Sequence, residues 1–153
     1  MFKIKLLAFI FLIANFSIIC RPASMKLDRV IVSSDKNKMY LDFWPIVAKA
    51  WQQLIGVRPT LALIDTEEGL EVDESLGDVI RFKPIDGVPT AQHAQIIRAF
   101  APMLFPDEVC MLADIDVLPM SKKYFDDGFK KVPSNNHFVI FRNRCYSPKS
   151  NRY

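Results

Sequence analysis

The chain has few cysteines and little net charge, and each shortage excludes a class of protein. Its three cysteines, Cys20, Cys110 and Cys145, have neither the spacing of a metal site nor the even number of a disulfide framework. Cys110 lies in an apolar run, where a buried free thiol is the ordinary expectation. A Cys110–Cys145 disulfide is the alternative. The net charge of +3, from 20 Lys and Arg against 17 Asp and Glu, is too small for a nucleic-acid-binding surface. We therefore expect no nucleic-acid partner.

The beginning of the chain differs in composition from the rest. Lys3 and Lys5 precede LLAFIFLIANFSIIC, residues 6–20, which carries no charge. A basic start followed by an apolar run predicts a secretory signal peptide or a signal-anchor over residues 1–24. We then expect membrane association through residues 4–20 and a location in the secretory pathway or at a membrane.

The remainder is predicted to be one globular domain, because half of the 153 residues are apolar and about a quarter are charged. This domain spans residues 25–142 and is followed by a basic tail at 143–153, which we interpret as solvated surface. An alternative start of translation at Met25 would make the protein cytoplasmic.

Short apolar runs alternate with helical periods along this domain. The apolar runs predict strands at 29–34, 60–64, 79–82, 109–113 and 137–141. Asp42 is predicted to cap a helix over 43–54 that stops at Gly56, and Thr90 to cap a second helix over 91–100. The alternation predicts an α/β sandwich with a mostly parallel sheet and helices on its faces.

The segment MLADIDVLPM, residues 111–120, presents two carboxylates together at the end of an apolar run. Alternation along a strand would place Asp114 and Asp116 on one face and Ile115 on the other. Such a pair suits Mg²⁺ or Mn²⁺, which take one or two protein carboxylates and complete their shell with waters and substrate phosphates. A D-x-D pattern is short, however, and a solvated turn after a strand is the alternative.

The surroundings of this pair resemble a known family. The segment QIIRAFAPMLFPDEVCMLADIDVLPMSKKYF, residues 95–125, is similar to the core of the nucleotide-diphospho-sugar transferases of the GT-A fold, in particular the glycogenin-like and lipopolysaccharide-galactosyltransferase-like branch. Arg98 lies 16 residues before Asp114, where that branch carries a basic residue. The opening strand RVIVSSD resembles the family's first strand, and the resemblance covers about residues 28–142. It implies a Rossmann-like GT-A nucleotide-sugar-binding sandwich.

The resemblance also implies roles for single residues. Asp114 would contact the ribose and, through the metal, the diphosphate, and Asp116 would be a direct metal ligand. Arg98 would face the phosphates or the sugar, although a helix arginine commonly pairs with a surface acid instead. The nucleoside would be bordered by Ser33, Ser34, Asp35 and Tyr40. For the serines the alternative is that they merely end a strand, and for Tyr40, expected to stack on uracil, that it belongs to the core.

The chain departs from the family after the aspartates. Family members run well beyond the D-x-D and supply a late histidine as a further metal ligand, whereas this sequence ends 37 residues after Asp116. His137 is the only downstream histidine and lies in a predicted strand close to the pair. His93, on the second predicted helix, is interpreted as a surface or partly buried histidine. The chain therefore resembles the N-terminal, nucleotide-binding half of a transferase, incomplete at its C-terminus.

The expected function is metal-dependent glycosyl transfer. A nucleotide-diphosphate sugar, with UDP as the expected nucleotide, would donate its sugar to a hydroxyl group of a glycan, lipid or protein acceptor, with Mn²⁺ or Mg²⁺ as cofactor. The metal held by Asp114 and Asp116, together with Arg98, would stabilise the leaving diphosphate electrostatically. Two alternatives remain: a truncated, non-catalytic nucleotide-binding remnant, and a haloacid-dehalogenase-like phosphatase. The second fits less well, because Leu118 occupies the place where those phosphatases carry Thr or Val.

Overall fold

The computed structural model describes residues 26–65 and 70–131. Three predictions lie outside the described residues: the signal or anchor at 1–24, the strand at 137–141 and the basic tail at 143–153. Within the described part, no helix is long and apolar enough to cross a membrane.

Four parallel strands form a single sheet with the order β3-β2-β1-β4. Their bounds are β1 Arg29–Asp35, β2 Arg58–Ile64, β3 Asp78–Phe82 and β4 Cys110–Leu112. The four predicted strands in the described residues are thus confirmed, with ends that shift by one or two residues. The parallel arrangement is confirmed as well.

Helices and single turns connect the strands, and one helix follows the last strand. They are α1 Lys38–Leu41, α2 Trp44–Ala50, a π-helical turn Trp51–Ile55, a 3₁₀ turn Glu74–Leu76, α3 Thr90–Phe100, a 3₁₀ turn Ala101–Leu104 and α4 Lys122–Phe129. The fold is α/β, and its all-parallel sheet is compatible with a Rossmann-like architecture.

The helix predicted over 43–54 begins earlier and is interrupted. Asn37 caps α1 by accepting a hydrogen bond from a first-turn N–H at 3.1 Å, so the prediction that Asp42 is the cap was wrong. Asp42 and Phe43 already have helical backbone angles, whereas a capping residue needs an extended backbone to turn its oxygen toward the helix. The predicted stop at Gly56 is confirmed, because Gly56 has a φ of 79°, the left-handed conformation that ends many helices.

The core lies on both faces of the sheet. On β1, Val30 and Val32 face the layer formed by α2, the π-helical turn and α4, whereas Ile31 faces the layer formed by α3 and the 3₁₀ turn after it. Within the first layer, Trp51 of the π-helical turn packs against Phe125 of α4, with ring centroids 5.2 Å apart. Strands β1 and β2 are buried on both faces, which explains why they appear in the sequence as continuous apolar runs.

The amino ends of the strands meet in a network of paired charges. Arg29, only 7% exposed, donates from Nε and Nη2 to Glu108 at 2.5 and 2.9 Å, and from Nη1 to Asp78 at 2.5 Å and to Thr60 at 2.6 Å. Arg58 donates to Asp78 from the solvent side. The hydrogen bonds from Arg58 and Arg29 lower the pKa of Asp78 to about 2, and the bonds from Arg29 lower the pKa of Glu108. Every charge in this network thus has a partner of opposite sign.

Candidate functional site

A cleft of about 350 Å³ opens at the carboxyl end of the sheet. It lies among the end of β1, the turn after β4, α1 and one face of α3. All seven residues predicted as site residues line it: Ser33, Ser34, Asp35, Tyr40, Arg98, Asp114 and Asp116. In parallel α/β sheets this is the edge at which ligands bind.

Unequal strand lengths create the cleft. On one side β1 pairs with β2 as far as Asp35, but on the other side β4 pairs with β1 only as far as Ile31. The backbone of Ala113 donates one more bond to the Ile31 oxygen at 3.1 Å, and the chain then turns away. The last part of β1 therefore borders open space instead of a neighbouring strand.

The two aspartates lie in a turn that begins at Asp114, and they do not extend the strand. The backbone N–H of Val117 donates to the backbone oxygen of Asp114 at 3.2 Å and closes the turn. Ile115 is 5% exposed and packs into the core, whereas Asp114 and Asp116 are exposed. The prediction that strand alternation carries the pair was wrong, because β4 ends at Leu112, before the aspartates. The observed geometry is the alternative, an exposed turn after a strand.

Arg98 and Asp114 lie in contact. The Nη1 of Arg98 donates to the backbone oxygen of Ala113 at 2.8 Å and also to the Asp114 carboxylate. Arg98 thus pairs with an acid, as one alternative held, but the acid belongs to the predicted site. Asp116 has no hydrogen-bond or ion-pair partner among residues 26–65 and 70–131.

Asp35 has a structural position in the cleft. It is 8% exposed, and its two carboxylate oxygens accept hydrogen bonds from the N–H of Asn37 at 3.0 Å and from the hydroxyl of Thr90 at 2.8 Å. Thr90 is therefore not the N-cap of α3 as predicted. Pro89 occupies that position, and Thr90, one residue inside the helix, ties the start of α3 to the end of β1.

The remaining predicted nucleoside-side residues differ in exposure. Ser33 and Ser34 are buried, and Ser34 donates its hydroxyl proton to the Asp35 backbone oxygen at 2.9 Å. Tyr40 is 43% exposed, which rules out the alternative that it belongs to the core.

Four cleft residues were missed in the sequence, and one of them is Ile115, between the two aspartates. The other three, Ala91, Ala94 and Gln95, lie on α3. With Arg98 they follow the spacing i, i+3, i+4 and i+7, which marks a single face of a helix. This spacing was the available signal, since small residues on the face that carries Arg98 leave room beside the helix.

The charges around the cleft do not balance. Three carboxylates, from Asp35, Asp114 and Asp116, stand against the one guanidinium of Arg98, a formal charge of −2. Within the described ranges, no group of three or more His, Cys, Asp or Glu side chains is arranged to hold a metal ion. A cation here would therefore take its protein ligands from the aspartate pair and the rest of its shell from water or a ligand.

Two other residues with metal-binding chemistry do not line the cleft. His93 is buried, at 6% exposed, and its Nδ1 has no hydrogen-bond partner within the described residues. Cys110 is a free, partly buried thiol, and this burial raises its pKa.

Comparisons with known proteins do not assign the chain to a family. No protein-family model matches it, and neither a curated protein nor a solved structure matches it.

Proposed function

We propose that this protein is a GT-A-type glycosyltransferase that binds a nucleotide-diphosphate sugar in the cleft, with UDP as the nucleotide, and transfers the sugar to a hydroxyl acceptor. The observation that supports the proposal most is the convergence of seven predicted residues, from three separate segments of the chain, on one cleft at the ligand-binding edge of the sheet. The parallel pairing of β1 with β4 brings these segments together, and the resemblance adds the kind of ligand that we propose for the cleft.

The donor set fits a hard divalent cation in part. Asp114 and Asp116 offer carboxylate oxygens at an exposed turn, and a cationic guanidinium already contacts one of them. Mg²⁺ and Mn²⁺ are held in many phosphate-binding sites by one or two carboxylates together with water and substrate phosphates. Bound there, such an ion would neutralise the charge that develops on a leaving diphosphate.

The other cleft residues have complementary tasks in the proposal. Arg98 binds phosphate oxygens, and its charge adds to the stabilisation of the leaving group. Tyr40 stacks on the uracil ring, while Ser33 and Ser34 border the nucleoside. Asp35 borders the nucleoside beside the serines, and its hydrogen bonds to Asn37 and Thr90 fix the position of its carboxylate.

The test is thermal melting of the full chain with UDP, in Mn²⁺ and in chelator. A ligand at about 100 times its dissociation constant stabilises the folded state by roughly 2.7 kcal/mol, so we expect a clear upward shift only with metal. Asp116→Asn removes a charge while keeping the shape and should abolish the dependence on metal. Asp107→Asn is the matched control, since Asp107 is an exposed acid in the turn before β4, at the opposite end of the sheet.

The outcomes separate the candidate functions. Equal shifts with metal and with chelator, or for Asp116→Asn and the wild type, would contradict the metal site. Metal-dependent UDP binding without any turnover of UDP-sugars would favour the non-catalytic, nucleotide-binding remnant. Release of phosphate from phosphomonoesters without UDP binding would favour the phosphatase.

A further inference from the structure

The contact between Arg98 and Asp114 joins a fixed group to a movable one. The Arg98 side chain is 21% exposed and is held by the Ala113 backbone oxygen at 2.8 Å, a bond that does not depend on any carboxylate. The Asp114 side chain is 64% exposed, and the residue is the first of a turn. The carboxylate can therefore rotate away while the guanidinium stays in place.

The guanidinium also has donors to spare. An arginine side chain carries five N–H donors. Among the described residues only Nη1 of Arg98 has hydrogen-bond partners, and the residue lines the cleft. Its remaining donors match the oxygens of a phosphate group, which arginine binds through two parallel hydrogen bonds.

We propose that Arg98 is the resident counter-ion of Asp114 and keeps the metal site incomplete until a diphosphate arrives. The inference rests on the proposed function, because it concerns the same cleft and the same metal. Without a ligand, only Asp116 is available to a metal ion, and one carboxylate is a weak site for a hydrated divalent cation. When a diphosphate engages Arg98, Asp114 is released to the metal, which contacts the same diphosphate.

This arrangement predicts that the metal and the diphosphate assist each other's binding. By linkage, the factor by which UDP strengthens Mn²⁺ binding equals the factor by which Mn²⁺ strengthens UDP binding. The opposite role for Arg98 is to orient Asp114 for the metal. The two roles differ in sign: removal of Arg98 strengthens the binding of Mn²⁺ alone if the arginine competes, and weakens it if the arginine orients.

The experiment measures Mn²⁺ binding to the full chain without nucleotide, by the loss of the electron paramagnetic resonance signal of free Mn²⁺. We expect Arg98→Gln to bind Mn²⁺ about tenfold more tightly than the wild type, a typical coupling between two ligands. Arg98→Lys keeps the charge but not the planar fork and should lie between the two. Arg58→Gln is the matched control, because it removes one exposed arginine of an arginine–aspartate pair at the other end of the sheet.

A double variant isolates the pair. Arg98→Gln combined with Asp114→Asn should bind Mn²⁺ no more tightly than Asp114→Asn alone, because the carboxylate that the arginine had occupied is absent. Circular dichroism and melting curves show whether each variant folds. If Arg98→Gln does not fold, the comparison of Arg98→Lys with the wild type decides the sign.

Each outcome decides one of the proposals. Equal or weaker Mn²⁺ binding in the folded Arg98 variants overturns the counter-ion role and leaves the proposed function standing. An equal gain in Arg58→Gln also overturns it, since the effect would then be one of net charge. Absence of Mn²⁺ binding in all variants, with and without UDP, overturns the metal site itself and the proposed function with it.

Discussion

The two ends of the sheet handle charge differently. At the amino end, two arginines and two acids, Arg29, Arg58, Asp78 and Glu108, contact one another and leave no net charge. In the cleft at the carboxyl end, three carboxylates stand against one guanidinium, which contacts only Asp114, and Asp116 has no partner within the described residues. Stripping water from a charge is costly unless a partner replaces it. The charges of the amino-end network therefore neutralise one another, whereas the cleft keeps an excess of negative charge.

The largest expected effect comes from breaking the amino-end network at its centre. Arg29→Met should destabilise the protein by about 3 kcal/mol, because Glu108 and Asp78 lose their buried partner and the cation over the Phe105 ring, 3.9 Å from its centroid, is lost. Urea denaturation measures the change. Arg58→Met, at a side chain that is 61% exposed, should cost less than about 1 kcal/mol. Equal losses in both variants would show that burial does not set the strength of the network.

A smaller loss of stability should follow at Asp35, the buried carboxylate of the cleft. Thr90→Val removes the hydroxyl that donates to buried Asp35 and should destabilise the protein by about 2 kcal/mol, the cost of leaving a charged acceptor unpaired. Thr90→Ser keeps the hydroxyl and is the control in the same denaturation experiment. If valine and serine behave alike, Thr90 does not tie α3 to β1.

The network should also make stability depend on pH. The pKa of Asp78 falls from 3.8 to about 2 on folding, so between these values the unfolded chain binds more protons than the folded protein. The stabilisation is complete above about pH 4 and is lost as the pH falls toward 2, and for this partly exposed group we expect a loss of about 1 kcal/mol. Denaturation at pH 5 and at pH 2.5 should show a smaller difference for Asp78→Asn than for the wild type. Identical differences would contradict the assignment.

The smallest effect should have the opposite sign. Asp116→Asn removes a carboxylate that has no partner within the described residues and that adds to an excess of negative charge. We expect unfolding to become harder by up to about 0.5 kcal/mol, measured without metal, because surface substitutions away from paired groups stay within that range. A loss of more than 1 kcal/mol would mean that Asp116 supports the fold, and the contrast between the two ends would then fail.

The sequence predicted the sheet well because the signal for each strand is local. Runs such as those around Val32 and Leu63 are buried on both faces, and their apolar character is visible without knowledge of their neighbours. The interrupted first helix was missed because its start depends on one side chain, Asn37, whose extended backbone lets it cap the helix, whereas Asp42 already has helical backbone angles. The choice between two nearby caps depends on backbone angles, which the sequence pattern does not contain.

The lining of the cleft was largely predictable as a set of residues and not as a set of contacts. The resemblance implied a shared site for Arg98 and Asp114, but their direct contact depends on how α3 packs against the turn after β4. The bond between Thr90 and Asp35 joins positions 55 residues apart, and that between Arg29 and Glu108 joins positions 79 apart. Such contacts form only when the sheet is assembled, so the local periodicity of apolar residues does not predict them.

The short β4 strand also has a consequence for the order of folding. Its register joins residues 81 positions apart, Arg29 with Cys110, through only three residue pairs, whereas β1 and β2 share seven pairs at a separation of 29. Closing a longer loop costs more chain entropy, and three residue pairs offset less of this cost than seven do. We therefore expect β4 to dock last and to detach first, with amide hydrogen exchange faster at Leu112 than at Val32. The aspartate turn would then fold last, and a ligand bound in the cleft would slow its amide hydrogen exchange most.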